Sequence, residues 1–194
     1  MAEVKVKKLK VAWGITGAGD KIAEILEVMK DLKKQSEDLV QIDVYLSKAA
    51  ETMLKFYRLD EELNKNFTKV NVESNANSPF LAGMVQSHKY EFLLIMPASS
   101  NTVAKIVNSI SDTLLTNAAL MSLKAFVPVW IMPVDYKEAI IYTKLPNGKE
   151  MKLRVRKEEA EQVRKLEATE DVRVFENPQK LREGFLAWLK TVKS

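Results

Sequence analysis

The run Leu9-Lys10-Val11-Ala12-Trp13 is apolar-rich and ends on Gly14-Ile15-Thr16-Gly17-Ala18-Gly19. Ile22, Ile25, Leu26, Met29 and Leu32 then follow at helical spacing. Strand, glycine loop and amphipathic helix are the reading, and the same order recurs. Val40-Gln41-Ile42-Asp43-Val44-Tyr45-Leu46 predicts a strand, and Ser47 opens a helix through Ala49-Ala50-Glu51-Thr52-Met53-Leu54. Tyr90-Glu91-Phe92-Leu93-Leu94-Ile95-Met96 is nearly continuous in apolar residues, as a strand buried on both faces should be. It is expected to stop at Pro97, before a helix carrying Val103, Ile106, Val107 and Ile110. Val127-Pro128-Val129-Trp130-Ile131-Met132 supplies a further strand. Such alternation predicts an α/β fold with a doubly wound parallel sheet and helices on both faces.

The last third differs. Ile140-Ile141-Tyr142-Thr143-Lys144-Leu145, Pro146-Asn147-Gly148 and Met151-Lys152-Leu153-Arg154-Val155-Arg156 predict a C-terminal β-hairpin with an Asn-Gly turn, added to the α/β unit. A helix over residues 158–166, a strand at Val172-Arg173-Val174-Phe175 and a closing helix over residues 178–192 complete the chain, the last with Leu181, Phe185, Leu186 and Leu189 inward. Residues 71–79, rich in Asn and Ser, are the expected mobile loop. We expect one domain over residues 1–194, with an α/β core in 1–136 and the hairpin and C-terminal helices in 137–194.

Composition removes much chemistry. With no cysteine and one histidine in 194 residues, there is no thiolate nucleophile, disulfide or cysteine-ligated cluster. A Ser-His-Asp triad would have to run through His88, and zinc would need carboxylates almost alone. Catalysis, if present, then falls to a bound organic cofactor. The apolar runs at residues 92–98 and 125–134 are too short to cross a membrane, and Met1-Ala2-Glu3-Val4-Lys5 lacks the apolar region of a signal peptide. A soluble cytoplasmic protein is expected. Residues 1–136 hold 16 Lys and Arg against 16 Asp and Glu, whereas residues 137–194 hold 14 against 10. A surplus this modest argues against nucleic acid and suits an acidic protein partner.

Doubly wound sheets bind ligands beyond the carboxyl ends of their strands. The loop 14–19 is not a P-loop, since Asp20 stands where lysine would, and Ile22 replaces the third glycine of a dinucleotide fingerprint. Its backbone N–H groups and the Thr16 hydroxyl could face a phosphate above a helix N-terminus, or its glycines could serve packing alone. Ser47 caps a helix or reaches the same ligand. Pro97-Ala98-Ser99-Ser100-Asn101-Thr102 carries four polar side chains, more hydrogen-bonding capacity than a cap requires. His88, in Gln86-Ser87-His88-Lys89, reads as solvated surface rather than a base. Trp13, Trp130 and Met132 serve core packing or contact with a bound cofactor. Trp130, Met132 and residues 103–110 offer more apolar surface than one sheet need cover, which predicts a symmetric oligomer.

Gly14-Ile15-Thr16-Gly17-Ala18-Gly19 and Pro97-Ala98-Ser99-Ser100-Asn101-Thr102-Val103-Ala104-Lys105-Ile106, with Ser109-Ile110-Ser111-Asp112-Thr113-Leu114-Leu115, resemble the flavoprotein family that includes the homo-oligomeric flavin-containing cysteine decarboxylases and the flavin prenyltransferases. The resemblance covers roughly the first 135 residues. It implies a Rossmann-like, flavodoxin-type fold with FMN at a subunit contact of a trimer. By position, Gly17, Ala18, Gly19 and Ser47 would hold the phosphate and ribityl region, and Ser99, Ser100, Asn101 and Thr102 the ribityl chain and isoalloxazine ring.

Gly83 stands where the decarboxylases carry a catalytic histidine, and Met132-Pro133-Val134-Asp135-Tyr136 lacks their Pro-x-Met-Asn signature. Ala125-Phe126-Val127 replaces the arginine-rich run of the prenyltransferases. Trp13-Gly14-Ile15-Thr16-Gly17-Ala18-Gly19-Asp20 and the hairpin are most similar to the archaeal branch, the archaeoflavoproteins and the archaeal dihydromethanopterin reductase. That implies an FMN oxidoreductase taking electrons from ferredoxin and passing them to another acceptor, a pterin included. Decarboxylation, prenyl transfer and FMN binding without turnover are the alternatives. On the hairpin, Lys152, Arg154 and Arg156 alternate with Met151, Leu153 and Val155, so one face can pack while the other meets an acidic electron donor or merely blocks edge pairing.

Overall fold

The structure is a computed structural model that describes residues 8–145 and 147–193, the side chain of Lys144 excepted. The expectations for residues 1–5 and for Pro146 of the hairpin turn fall outside the described residues. In chain order the elements are β1 (Leu9–Ile15), α1 (Ile22–Ser36), β2 (Val40–Leu46), α2 (Lys48–Tyr57), α3 (Asp60–Asn66) and β3 (Val70–Val72). Then come α4 (Leu81–Gln86), β4 (Phe92–Ala98), α5 (Ser100–Val107), α6 (Leu114–Lys124) and β5 (Val129–Pro133). The chain continues through β6 (Ala139–Lys144), β7 (Glu150–Val155), α7 (Lys157–Glu167), β8 (Val172–Val174) and α8 (Pro178–Lys193).

Six strands form one parallel sheet in the order β3-β2-β1-β4-β5-β8. This is the expected α/β architecture, and the chain changes direction between β1 and β4. Successive residues of β1 enter opposite layers. Val11, Trp13 and Ile15 join the core under α1, α2, α3 and α8, while Ala12 faces the layer of α4, α5, α6 and α7. Every residue of β4 is buried, which explains its unbroken apolar run. Trp130 stacks on Phe92 with ring centroids 4.1 Å apart, and Met132 is also buried. Neither supplies the free apolar surface that was one ground for expecting an oligomer.

Several expectations change. β3 is too short to show a period, and it overlaps the start of the segment that composition marks as a loop. Residues 71–79, the expected mobile loop, make hydrogen bonds of their own: Ser74 and Asn75 N–H groups donate to Ser78 O, and the Asn117 amide on α6 donates to Ala76 O and Asn77 Oδ1. β4 runs through Pro97 to Ala98 because its pairing with β5 shifts register between Ile95 and Ala98. A proline, which has no N–H, is tolerated at such an irregularity, and Pro97 O is still used, accepting from Thr16 N. α5 ends at Val107, leaving Ile110 exposed.

The hairpin forms as expected, with β6 antiparallel to β7 in a separate two-stranded sheet. Gly148 takes the left-handed backbone conformation (φ 82°) that the turn requires. Its expected buried face is only partly buried: Val155 is buried, but Leu153 remains 41% exposed. β8, from beyond residue 136, completes the main sheet, and its Phe175 neighbour packs on Trp130 at 5.4 Å.

Candidate functional site

The loops after β1, β2 and β4 meet where the sheet changes direction, the place at which open α/β sheets bind ligands. They are joined by hydrogen bonds. Thr16 Oγ1 donates to Pro97 O (2.8 Å) and accepts from Ser99 N (3.0 Å), and Ser47 N donates to Ile15 O (3.0 Å). Thr16 is buried, and its hydroxyl fastens one loop to the other. The sequence found the residue but not this job.

Ser47 and Ser99 cap α2 and α5. Ser47 Oγ accepts from Ala50 N at 3.0 Å, and Ser99 Oγ accepts from Thr102 N at 3.3 Å and lies 3.1 Å from Thr102 Oγ1. Ser100 donates to the Asp135 carboxylate, tying α5 to the segment after β5. Asn101 is exposed, and its amide has no partner among the described residues. Likewise the N–H groups of Gly17, Ala18, Gly19 and Asp20 donate to no acceptor within the described chain.

The glycines of the first loop have packing reasons. A Cβ on Gly17 would lie 2.6 Å from the Ala49 Cβ of α2, one on Gly19 2.6 Å from the Tyr57 ring, and one on Gly14 2.7 Å from Leu115. Close approach of α2 and α6 demands them, and the same closeness crowds three helix N-termini around the edge. Unpartnered N–H donors, an unpartnered amide and converging helix N-termini form a donor set suited to a phosphate and a polar heterocycle.

Two contributors were missed. Glu73, just past β3, accepts from Leu114 N with Oε1 (2.8 Å) and from Lys48 N with Oε2 (3.2 Å), so one carboxylate serves the N-termini of α6 and α2. Its signal was hidden because β3 itself was missed. Asp135 was legible in principle, as a polar residue just past β5. Below the edge lies a buried polar group: Asp43 accepts from Gln41 (2.6 Å), Lys69 (2.8 Å) and Tyr90 (2.8 Å), and the Tyr90 and Tyr45 hydroxyls are 2.7 Å apart. Burial works to raise the Asp43 carboxyl, but these donors outweigh it and hold it below the usual aspartate range.

His88 lies before β4, at the opposite edge of the sheet, exposed and away from these loops. Arg156 is not on the hairpin face. It precedes α7 as its N-cap, with its guanidinium on Glu159, so its charge is committed. Lys152 and Arg154 do share a face of the hairpin, with exposed Tyr142 and Ile140 opposite them in register.

The model of the family described as Flavoprotein matches residues 2–183. The chain belongs to the Flavoprotein family. Among its relatives, an uncharacterized protein of Methanocaldococcus jannaschii is 42% identical over 185 residues, covering 95% of this chain and 98% of the relative. The dihydromethanopterin reductase (acceptor) of the same organism is 35% identical, covering 91% and 96%. The crystal structure of Burkholderia xenovorans DmrB in complex with FMN, described as a cubic protein cage for redox transfer, superposes with a TM-score of 0.81 at 30% identity, covering 96% of this flavoprotein and 98% of that chain. Among the described residues no helix is long and apolar enough to cross a membrane.

Proposed function

We propose that the chain is an FMN-dependent oxidoreductase, one cytoplasmic domain in a homo-oligomer that is a trimer or a multiple of trimers, and that it takes electrons from an acidic protein such as ferredoxin and passes them to a small acceptor. A pterin is the acceptor that the reductase relatives suggest. The observation that carries the reading is that the N–H groups from Gly17 to Asp20 and the Asn101 amide, on loops that meet at one sheet edge, have no partner among the described residues. In this reading Gly17, Ala18 and Gly19 present backbone N–H groups to the phosphate, with Ser47 beside them. Ser99, Ser100, Asn101 and Thr102 line the ribityl chain and ring, and Thr16 keeps the two loops in register. The bound flavin would supply one- or two-electron transfer, so no side-chain acid or base is required.

Lys152 and Arg154 form the basic face that steers the donor, since complementary charge raises encounter rates in a salt-dependent way. Arg156 is excluded from that face by its bond to Glu159. The visible spectrum of the purified protein tests the whole reading. An oxidised flavin spectrum that bleaches when reduced ferredoxin is added, and returns with a pterin acceptor, is expected. A colourless protein, or flavin that ferredoxin does not reduce, would overturn it, and reduced flavin that no acceptor reoxidises would point to binding without turnover.

A further inference from the structure

Beyond β5 and β8, on the carboxyl edge of the sheet, a groove of about 500 Å³ lies between β8 and α8. Its charged groups are mostly spoken for. Lys180 pairs with Glu183 at 3.0 Å, Glu176 with Lys137 at 2.8 Å, and the Tyr136 hydroxyl donates to Glu167 at 2.7 Å.

Arg173 differs. Its guanidinium carbon sits 5.0 Å from the ring centroids of both Trp130 and Phe175, and it has no carboxylate partner among the described residues. The neighbouring helix makes room for it. A Cβ on Gly184 would lie 2.6 Å from the Phe175 ring and 3.3 Å from Arg173 Nη2, so the bare backbone of α8 lets ring and guanidinium lie against it. Two aromatic faces hold the guanidinium in orientation while its N–H fork stays unclaimed, an arrangement matched to a planar or tetrahedral oxyanion. Had the side chain only to shield Trp130 from water, no particular anion would be favoured.

The geometry points to an oxyanion subsite centred on Arg173, taking the carboxylate or phosphate ester of a small molecule bound at this edge. That the molecule is the one exchanging electrons with the flavin rests on the proposed function; the anion chemistry does not. The groove shares the sheet edge with the flavin loops. Glu176 on its rim is held below the usual glutamate range by Lys137 first, with the charges of Lys180 and of Lys21, just past the glycine loop, adding to the effect.

Calorimetric titration of the full chain as purified, at low ionic strength, with inorganic phosphate and separately with succinate, tests the subsite. Saturable binding of one anion per chain is expected, weakened at least tenfold by Arg173→Gln. Gly184→Ala, which keeps the charge but crowds the guanidinium, should weaken it too. Arg182→Gln, whose guanidinium is on Asp31, should leave it unchanged. Tighter phosphate binding identifies a phosphate ester and tighter succinate binding a carboxylate. Circular dichroism melts show that each variant is folded. Absence of saturable binding of either anion, or equal affinity in folded Arg173→Gln, overturns the subsite. Arg173-dependent binding by a protein without flavin keeps the subsite and refutes the proposed function instead.

Discussion

At the scale of single residues, the strongest claims concern side chains whose hydrogen bonds are complete and those whose bonds are missing. Thr16→Val removes the bonds to Pro97 O and Ser99 N at a buried position, which should cost about 1–3 kcal/mol in urea unfolding, whereas Thr16→Ser should restore most of it. Asn101→Ala, at an exposed side chain without a partner, should leave unfolding unchanged and weaken flavin retention on dialysis. Full retention by that variant would remove Asn101 from the site. Asp43 gives a pH signature. Its folded carboxyl titrates below the unfolded one, so its stabilisation is present above the unfolded range near ~3.9 and is lost as pH falls through the lower folded value. Asp43→Asn should therefore unfold more easily at pH 7 and show a shallower loss of stability as pH falls below about 4. The residues themselves were legible in the sequence, since the glycine loop, Ser47 and the four polar residues after Ala98 all lie at one edge. Their jobs were not, because whether a hydroxyl such as that of Thr16 is free depends on a carbonyl 81 positions away.

Among elements, the alternation of strand and helix was readable because strands buried on both faces leave long apolar runs and amphipathic helices leave a period. β3 escaped because three residues carry no period, and Pro97 misled because a register shift lets a strand contain it. The distance between α2 and the first loop is set by two small residues facing each other. Gly17→Ala should destabilise by about 1–3 kcal/mol through the clash with Ala49, and adding Ala49→Gly should recover most of that loss in a double-mutant cycle. Independent, additive effects would show that the two do not touch. Arg156 illustrates the same limit: alternation along the sequence put it on the hairpin face, but the chain leaves β7 one residue earlier.

For the whole molecule, the hairpin stands apart from the six-stranded sheet with Tyr142 70% and Ile140 52% exposed. Two strands alone are marginally stable in water. Charge reversal of Lys152 and Arg154 should slow flavin reduction by ferredoxin severalfold at low salt and much less at high salt, while a small neutral reductant acts equally on variant and parent. A variant as fast as the parent at low salt would leave the hairpin charges only the role of blocking edge pairing. The sixth strand has another implication. Because β8 and α8 follow the other five sheet strands in the chain yet cover Trp130 and Phe92, a ribosome makes those five strands before the residues that seal that side of the sheet exist. During synthesis the nascent chain therefore carries an open aromatic flank, and β8 with α8 acts as its closing seam.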